Sequence, residues 1–295
     1  MQYSTFAAID IGSYDVILEI FEISKKQGIR SVDKICHRME LGKDTYTLGK
    51  IRPEMEEELC RVLADFVRIM EGYRVDDYRA TASSAISEAS NSLYVLGKIH
   101  QLTGLSVTVL SNSEQRFLSY KALAAMEDNF NKIIEKGTAI LDLDGGSFQI
   151  SLFDKDALVT TQNIRMGSLR IRERLAGIQS ETEHYEEMVE ELIWNEVSSF
   201  KKMYLKDRKI ENIMLIGDVF TDSVYQNIEE KTTKIISREN FNTWYEKIIR
   251  QSPMELAVKL GIPLENASLM YPSAVIYKCL IDMMGAEHIW IPGVH

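Results

Sequence analysis

The sequence predicts an α/β protein of two domains, and three observations carry that reading. Apolar segments of strand length alternate with helical stripes at three- and four-residue spacing, after an antiparallel start. A unit of strand, carboxylate, glycine turn and second strand occurs twice, at residues 6–21 (FAAIDIGSYDVILEIF) and 139–153 (AILDLDGGSFQISLF). The 295 residues, 45% of them hydrophobic, can bury more than one core.

Each element follows from local pattern. In the first repeat, Asp10 ends an apolar run, Gly12 and Ser13 make the turn, and residues 16–21 return as a second strand. Residues 30–39 read as a third strand and residues 41–50 as a glycine-punctuated loop. Pro53 then opens a helix whose apolar stripe is Met55, Leu59, Val62, Leu63, Phe66, Val67 and Met70, with Glu56, Glu57, Arg61 and Asp65 away from it. A short buried strand is expected at 78–83. The polar stretch 83–91 leads into a helix ended by Gly104, and residues 105–110 form another strand. Ser111 and Glu114 have the spacing of a capping box for a helix running to about Met126. After the second repeat come a strand near 157–162, a helix over 183–205 and a strand at 212–216 that ends at Gly217. Three further helices are expected: after Ser237, opening with Ser252-Pro253, and opening with Pro272. The domain boundary is expected in 125–135, giving domains 1–127 and 128–295 with the last helix packing back on the first.

The glycines of both repeats let backbone N–H groups approach a phosphate closely, and their carboxylates suit a hydrated divalent cation. Together they read as a phosphate clamp. The formal charge of −10, from 44 acidic and 34 basic residues, argues against general nucleic-acid binding. No apolar run is long enough to span a bilayer, and the amino-terminal MQYSTFAAID has no basic leader, so a cytoplasmic location is expected. Cys36, Cys60 and Cys279 lack metal-ligand spacing and are expected to be buried, reduced thiols.

In chain order, the segments AIDIGS, SSAISEASN, LSNSEQRFL, LDLDGGSFQI, IRMGSLRIRERL and IGDVFT resemble the exopolyphosphatase / guanosine pentaphosphate phosphohydrolase (Ppx/GppA) family. The resemblance covers essentially the whole chain. It implies two domains of actin/sugar-kinase/Hsp70-like (ribonuclease H-like) topology with a cleft between them, and Mg²⁺-assisted release of terminal phosphate from polyphosphate or a guanosine polyphosphate. A homodimer stays open. Carried over by position, Asp10, Gly12, Ser13 and Ser83, with Gly145, Gly146 and Ser147, are the implied phosphate-binding residues. Asp142 is the implied metal ligand. Glu88 and Asn91 fit the second segment, and Gly167 and Arg170 fit a Gly-x-x-Arg segment.

The departures fall on the chemistry. Ile17, Ser87 and Asn266 stand where the family has arginines, Gln115 stands at the catalytic base, Gln149 replaces a glutamate, and Asp144 replaces a glycine. The positions the resemblance implies as catalytic are Gln115 and Gln149; an amide takes no proton at neutral pH, so the general base is lost there, and Glu114 is an alternative carboxylate. Asp144 reads as a relocated carboxylate, a metal ligand or a turn residue. Three functions stay open: the phosphohydrolase, a catalytically inactive homologue binding a phosphate or nucleotide ligand or a protein partner, and a kinase-like phosphotransferase on the same fold. Restoring Gln115→Glu is expected to raise hydrolysis.

Overall fold

The computed structural model describes residues 3–26, 28–126, 130–176, 185–206, 208–217, 220–221, 223 and 235–292. The chain divides into two compact units, Met1–Glu114 and Gln115–His295. The division falls inside a helix, Asn112–Met126, ahead of the expected boundary region.

In the first unit, β1 (Ser4–Ile11), β2 (Asp15–Ser24) and β3 (Gly28–Arg38) form an antiparallel meander, and β4 (Asp77–Ala82) and β5 (Val107–Val109) extend it in parallel, in the order β3-β2-β1-β4-β5. Alternation puts Ala7, Ile9 and Ile11 of β1 and Val16, Leu18 and Ile20 of β2 on one buried face. That core is completed by α2 (Pro53–Gly72), through Leu59, Leu63 and Phe66, and by α4 (Ser92–Thr103), through Val95 and Ile99.

Three expectations for this unit are corrected. Residues 41–48 are not loop but a helix, α1 (Leu41–Leu48), because the turn after β1 anchors its start: Gly42 N donates to Ser13 O at 2.7 Å, and Met39 N and Glu40 N both donate to Tyr14 O at 3.1 Å. The residue before the helix, Glu40, has a left-handed backbone, so no ordinary capping sequence announces it. Glu56, placed away from the apolar stripe, is buried with it, and its carboxylate lies 2.8 Å from Lys98 of α4. Cys36 is exposed, on the edge strand β3, while Cys60 is buried and Cys279 half-buried.

Asn91 shows how the polar stretch after β4 is used. Its side chain accepts from Ile51 N at 3.0 Å and donates to Ile51 O at 2.8 Å, satisfying both backbone groups of a buried residue. Asn91→Ala leaves both unpaired, so it is expected to lower stability by about 3 kcal/mol, read as a lower urea midpoint at unchanged slope.

The second unit repeats the topology. β6 (Thr138–Leu143), β7 (Phe148–Asp154) and β8 (Ala157–Ile164) form the meander, followed in parallel by β9 (Asn212–Gly217) and β11 (His288–Trp290), with β10 (Ile235–Ser237) antiparallel at the edge. Both units therefore have the ribonuclease H-like strand order of the actin-like fold. One face of this sheet packs on α8 (Tyr185–Phe200), through Val189, Ile193 and Phe200, and on the last helix, α11 (Leu264–Met284). The other face meets Leu123 of α5 (Asn112–Met126) and Phe130, Ile133 and Ile134 of α6 (Phe130–Ile134).

Pro272 does not open the last helix but lies inside it, buried. An interior proline forfeits one helical hydrogen bond; here burial around most of the helix, from Ala267 to Met284, outweighs that loss. The helix α8 continues as a π-turn over Lys201–Leu205; residues 183–184 of its expected span lie outside the described residues. α9 (Arg238–Ile249) is capped by Ser237, whose Oγ accepts from Asn240 N at 3.1 Å. α10 (Pro253–Leu260) has a full capping box between Ser252 and Glu255. No helix among the described residues is long and apolar enough to cross a membrane.

Candidate active site

In the first unit, the predicted phosphate-binding residues gather at the carboxyl ends of β1 and β4. Gly12 N donates to Asp15 O at 2.9 Å, closing the turn, and a Cβ on Gly12 would stand 2.9 Å from that same oxygen. Only glycine therefore suits this tight closure. Asp10 is exposed and accepts from Thr81 Oγ1 at 3.3 Å. Ser83 donates through its N–H to Ile11 O at 3.1 Å. Ser13 is buried, and its hydroxyl lies 2.6 Å from Tyr46 Oη and 3.2 Å from Ser84 Oγ, which are themselves 2.9 Å apart. Sequence reasoning singled out neither Tyr46, which stands in no motif, nor Ser84, which sits inside the SSAISEASN segment, and only the packing of α1 and α3 (Ser84–Ser87) brings them to the turn. Ile17 faces Asp10 across the hairpin, and Ser87 is exposed.

Glu114 caps its own helix. Its carboxylate accepts from Ser111 N at 2.9 Å and Ser111 Oγ at 2.8 Å, and these bonds hold its pKa below the usual carboxylate range. The capping reading of the sequence is thus realised, and the carboxylate is engaged with Ser111.

The second unit concentrates the acidic chemistry. Register places Asp142 of β6 opposite Gln149 of β7, and Gln149 opposite Asn163 of β8, so the three side chains form a polar row on the sheet face that α5 covers. Gln149 is buried. Ser119 of α5 donates to Asp142 Oδ2 at 3.0 Å. Asp142 is half-buried, and burial pushes its pKa to about 6; Ser119 pulls it down and the nearby Asp144 raises it further. Asp144 is also raised by burial, and is drawn back by Gly145 N–H, by a hydrogen bond from Gln115 and by the positive charge of Arg170.

The turn 144–147 is gripped from one side. Asp144 N donates to Ser147 O at 2.9 Å, and Gly145 N to Asp144 Oδ1 at 2.5 Å. From the start of α7 (Ser168–Leu175), Ser168 N reaches Asp144 O at 3.2 Å, Arg170 N reaches Gly145 O at 2.9 Å and Arg170 Nε reaches Gly146 O at 2.8 Å. The Gly-x-x-Arg segment thereby holds three successive carbonyls of the glycine turn. Gly217, at the end of β9, closes the site from another side: its φ is +84°, and a Cβ there would stand 2.9 Å from Asp142 Oδ1.

The donor set fits a magnesium ion. Mg²⁺ takes one or two carboxylates, keeps several waters and shares substrate phosphate oxygens, so it needs no all-protein cage. Asp142, a carboxylate that burial leaves short of compensation, is the residue that would hold it, while among the described residues no group of three or more His, Cys, Asp or Glu could form a closed site.

Comparison with known proteins places the chain in a family. Residues 19–294 match the Ppx/GppA phosphatase family. Among curated relatives, the bifunctional 3-dehydroquinate synthase/phosphatase of Fusobacterium nucleatum is 21% identical over 96% of this chain and 44% of its own length. Exopolyphosphatase 1 of Mycobacterium leprae is 25% identical over 48% of this chain and 41% of its own length. The chain thus spans less than half the length of these relatives. Among solved structures, an exopolyphosphatase from Cytophaga hutchinsonii superposes with a TM-score of 0.81 at 18% identity, covering 97% of this chain and 93% of that one. The Aquifex aeolicus Ppx/GppA family member gives 0.75 at 19% identity, covering 99% and 95%. With the family match running over nearly the entire sequence, the chain belongs to the Ppx/GppA phosphatase family.

Proposed function

We propose that this protein hydrolyses a terminal phosphoanhydride, releasing phosphate from polyphosphate or guanosine pentaphosphate with Mg²⁺. The observation that carries this reading is the pair of half-buried carboxylates, Asp142 and Asp144, held by α5 beside a glycine turn. A buried carboxylate costs stability unless it is compensated, and a cation with a polyanionic ligand is the natural compensation. In the reaction, a water oxygen bonds to the terminal phosphorus, the bridging P–O bond breaks with its electron pair going to the departing phosphate chain, and the water proton passes to a carboxylate. Bound Mg²⁺ would neutralise charge on the phosphate oxygens. The chain's own work is to hold Asp142 through Ser119, to keep the turn 144–147 in place through α7, and to exclude bulk water with α5.

A second reading, an inactive homologue that binds a phosphate or nucleotide, rests on Gln115 and Gln149 standing where the resemblance calls for glutamates. Phosphate release from long-chain polyphosphate and from guanosine pentaphosphate, with Mg²⁺ and with chelator, separates the two. Release that requires Mg²⁺ is the expected result. Tight binding of either compound without turnover would favour the second reading.

A further inference from the structure

We infer that Tyr46 is a positioning residue of the phosphate clamp in the first unit, and that the hydroxyl it steers onto a phosphoryl oxygen of the ligand is that of Ser84 rather than of Ser13. The inference deepens the hydrolase reading and rests on it for the class of ligand.

Exposure makes the first distinction. Ser13 is only 1% exposed, and its hydroxyl is enclosed by Tyr46 Oη at 2.6 Å and Ser84 Oγ at 3.2 Å. Tyr46 and Ser84 are both half-buried, so a ligand arriving from solvent meets them before Ser13. Of the three contacts, Tyr46 makes the two shorter, at 2.6 and 2.9 Å, and is committed to the cluster. Ser84 shares the longest edge, 3.2 Å, with Ser13, and that is the contact most readily exchanged for a ligand oxygen.

The phenol is held in place by the helix that carries it. Gly42 N donates to Ser13 O, and Met39 N and Glu40 N donate to Tyr14 O, which seats the start of α1 on the turn. One residue before Tyr46, Thr45 Oγ1 donates to Ala85 O at 2.7 Å, next to Ser84. α1 is thereby tied to the turn and to α3 at once, and Tyr46 bridges the two. Packing alone does not account for an oxygen set between two serine hydroxyls, since phenylalanine fills the same space.

The protons give the bridge a direction. Each hydroxyl has one proton to donate. A tyrosine hydroxyl, with an ordinary pKa of about 10, is a better donor than a serine hydroxyl. Tyr46 therefore donates to Ser84 and accepts from Ser13, which turns the Ser84 proton outward. Hydrogen bonds in a chain polarise one another, so the two groups behind strengthen the one in front. Ile17 faces Asp10 across the same hairpin and Ser87 is exposed, so where the resemblance puts arginines this clamp works through the direction of a neutral donor.

Tyr46→Phe removes one oxygen and keeps the ring. It is expected to raise the Kd for long-chain polyphosphate, measured in chelator, about tenfold, as for one hydrogen bond to a charged group. In Mg²⁺, KM should rise alike with kcat within about twofold, the pattern of lost uniform binding. Ser84→Ala is expected to weaken binding at least as much, and adding Tyr46→Phe to it should cost nothing further, because Tyr46 acts through Ser84. Ser84→Thr, which keeps the hydroxyl, should bind within about threefold of the parent. A merely structural Tyr46 would lower the urea midpoint and leave Kd where it was, so unfolding is measured beside binding.

A Tyr46→Phe protein that binds polyphosphate as the parent does overturns the inference and leaves the hydrolase reading intact. Ser13→Ala weakening binding more than Ser84→Ala overturns the assignment to Ser84. Parent binding without phosphate release, weakened by these variants in the expected order, supports the clamp and overturns the hydrolase reading. A parent that neither binds polyphosphate nor releases phosphate overturns both.

Discussion

Replacing Gly167 with alanine is expected to lower stability by about 3 kcal/mol, at the upper end of the range for overpacking, and to abolish phosphate release. The added Cβ would stand 2.2 Å from Asp144 O and 2.5 Å from both the carbon and the oxygen of the Gly145 carbonyl. All three are backbone atoms in a turn held by α7, so no flexible side chain can move aside. The start of α7 would have to withdraw. Its bonds from Ser168 N, Arg170 N and Arg170 Nε to the carbonyls of residues 144, 145 and 146 lengthen together, and each lost bond in a buried setting costs about 1 kcal/mol. The turn that carries Asp144 then loses its fixed position. Gly97 supplies the control: it lies in α4, a Cβ there meets nothing within 4 Å, and Gly97→Ala is expected to raise stability by about 0.5–1 kcal/mol. Guanidinium unfolding of the two variants beside the parent measures both. A Gly167→Ala protein as stable and active as the parent would mean that α7 does not hold the turn.

The fold was legible because its signals are local. The two glycine hairpins, the alternation in β1 and β2, the stripe of α2 and the capping boxes at Ser111 and Ser252 each depend on residues within a few positions of one another. What was not legible depends on tertiary structure. The helix α1 is started by carbonyls of Ser13 and Tyr14, far back in the chain. Pro272 inside α11 is tolerated because the helix is buried, and no neighbour in sequence says so. Glu56 looks like a solvent-facing carboxylate until Lys98 of another helix is placed beside it.

The candidate site divides the same way. Asp142 and the glycine turn stand out in the sequence, but Ser119 and the Gln115 partnership do not, since a single hydroxyl or amide on a helix has no pattern. Arg170 shows a subtler difference. The sequence marks it only as part of a Gly-x-x-Arg segment, whereas the structure gives its Nε to Gly146 O, so it holds the glycine turn.

The change with the most divergent consequences is Asp142→Asn. Burial raises this carboxylate's pKa from 3.8 to about 6, so the folded chain holds a proton there more readily than the unfolded chain does. Stability from this group therefore falls as pH rises between roughly 4 and 6, and the full penalty applies above about pH 6. Two pKa units correspond to almost 3 kcal/mol, which partial solvation of a half-buried group reduces to about 2 kcal/mol. Asparagine keeps the acceptor for Ser119 and removes the charge. Without divalent cations at pH 7, Asp142→Asn is expected to be the more stable protein by about 2 kcal/mol, and the gain should vanish as the pH approaches 4. Activity should move the other way, falling on the order of 10²- to 10³-fold as for removal of one electrostatic stabiliser, because the residue suited to Mg²⁺ has lost its charge. Urea unfolding across pH 4–8 with chelator, beside phosphate release with Mg²⁺, measures both. A variant that loses activity and stability together would show that Asp142 serves the fold, and that its burial is compensated by the protein alone.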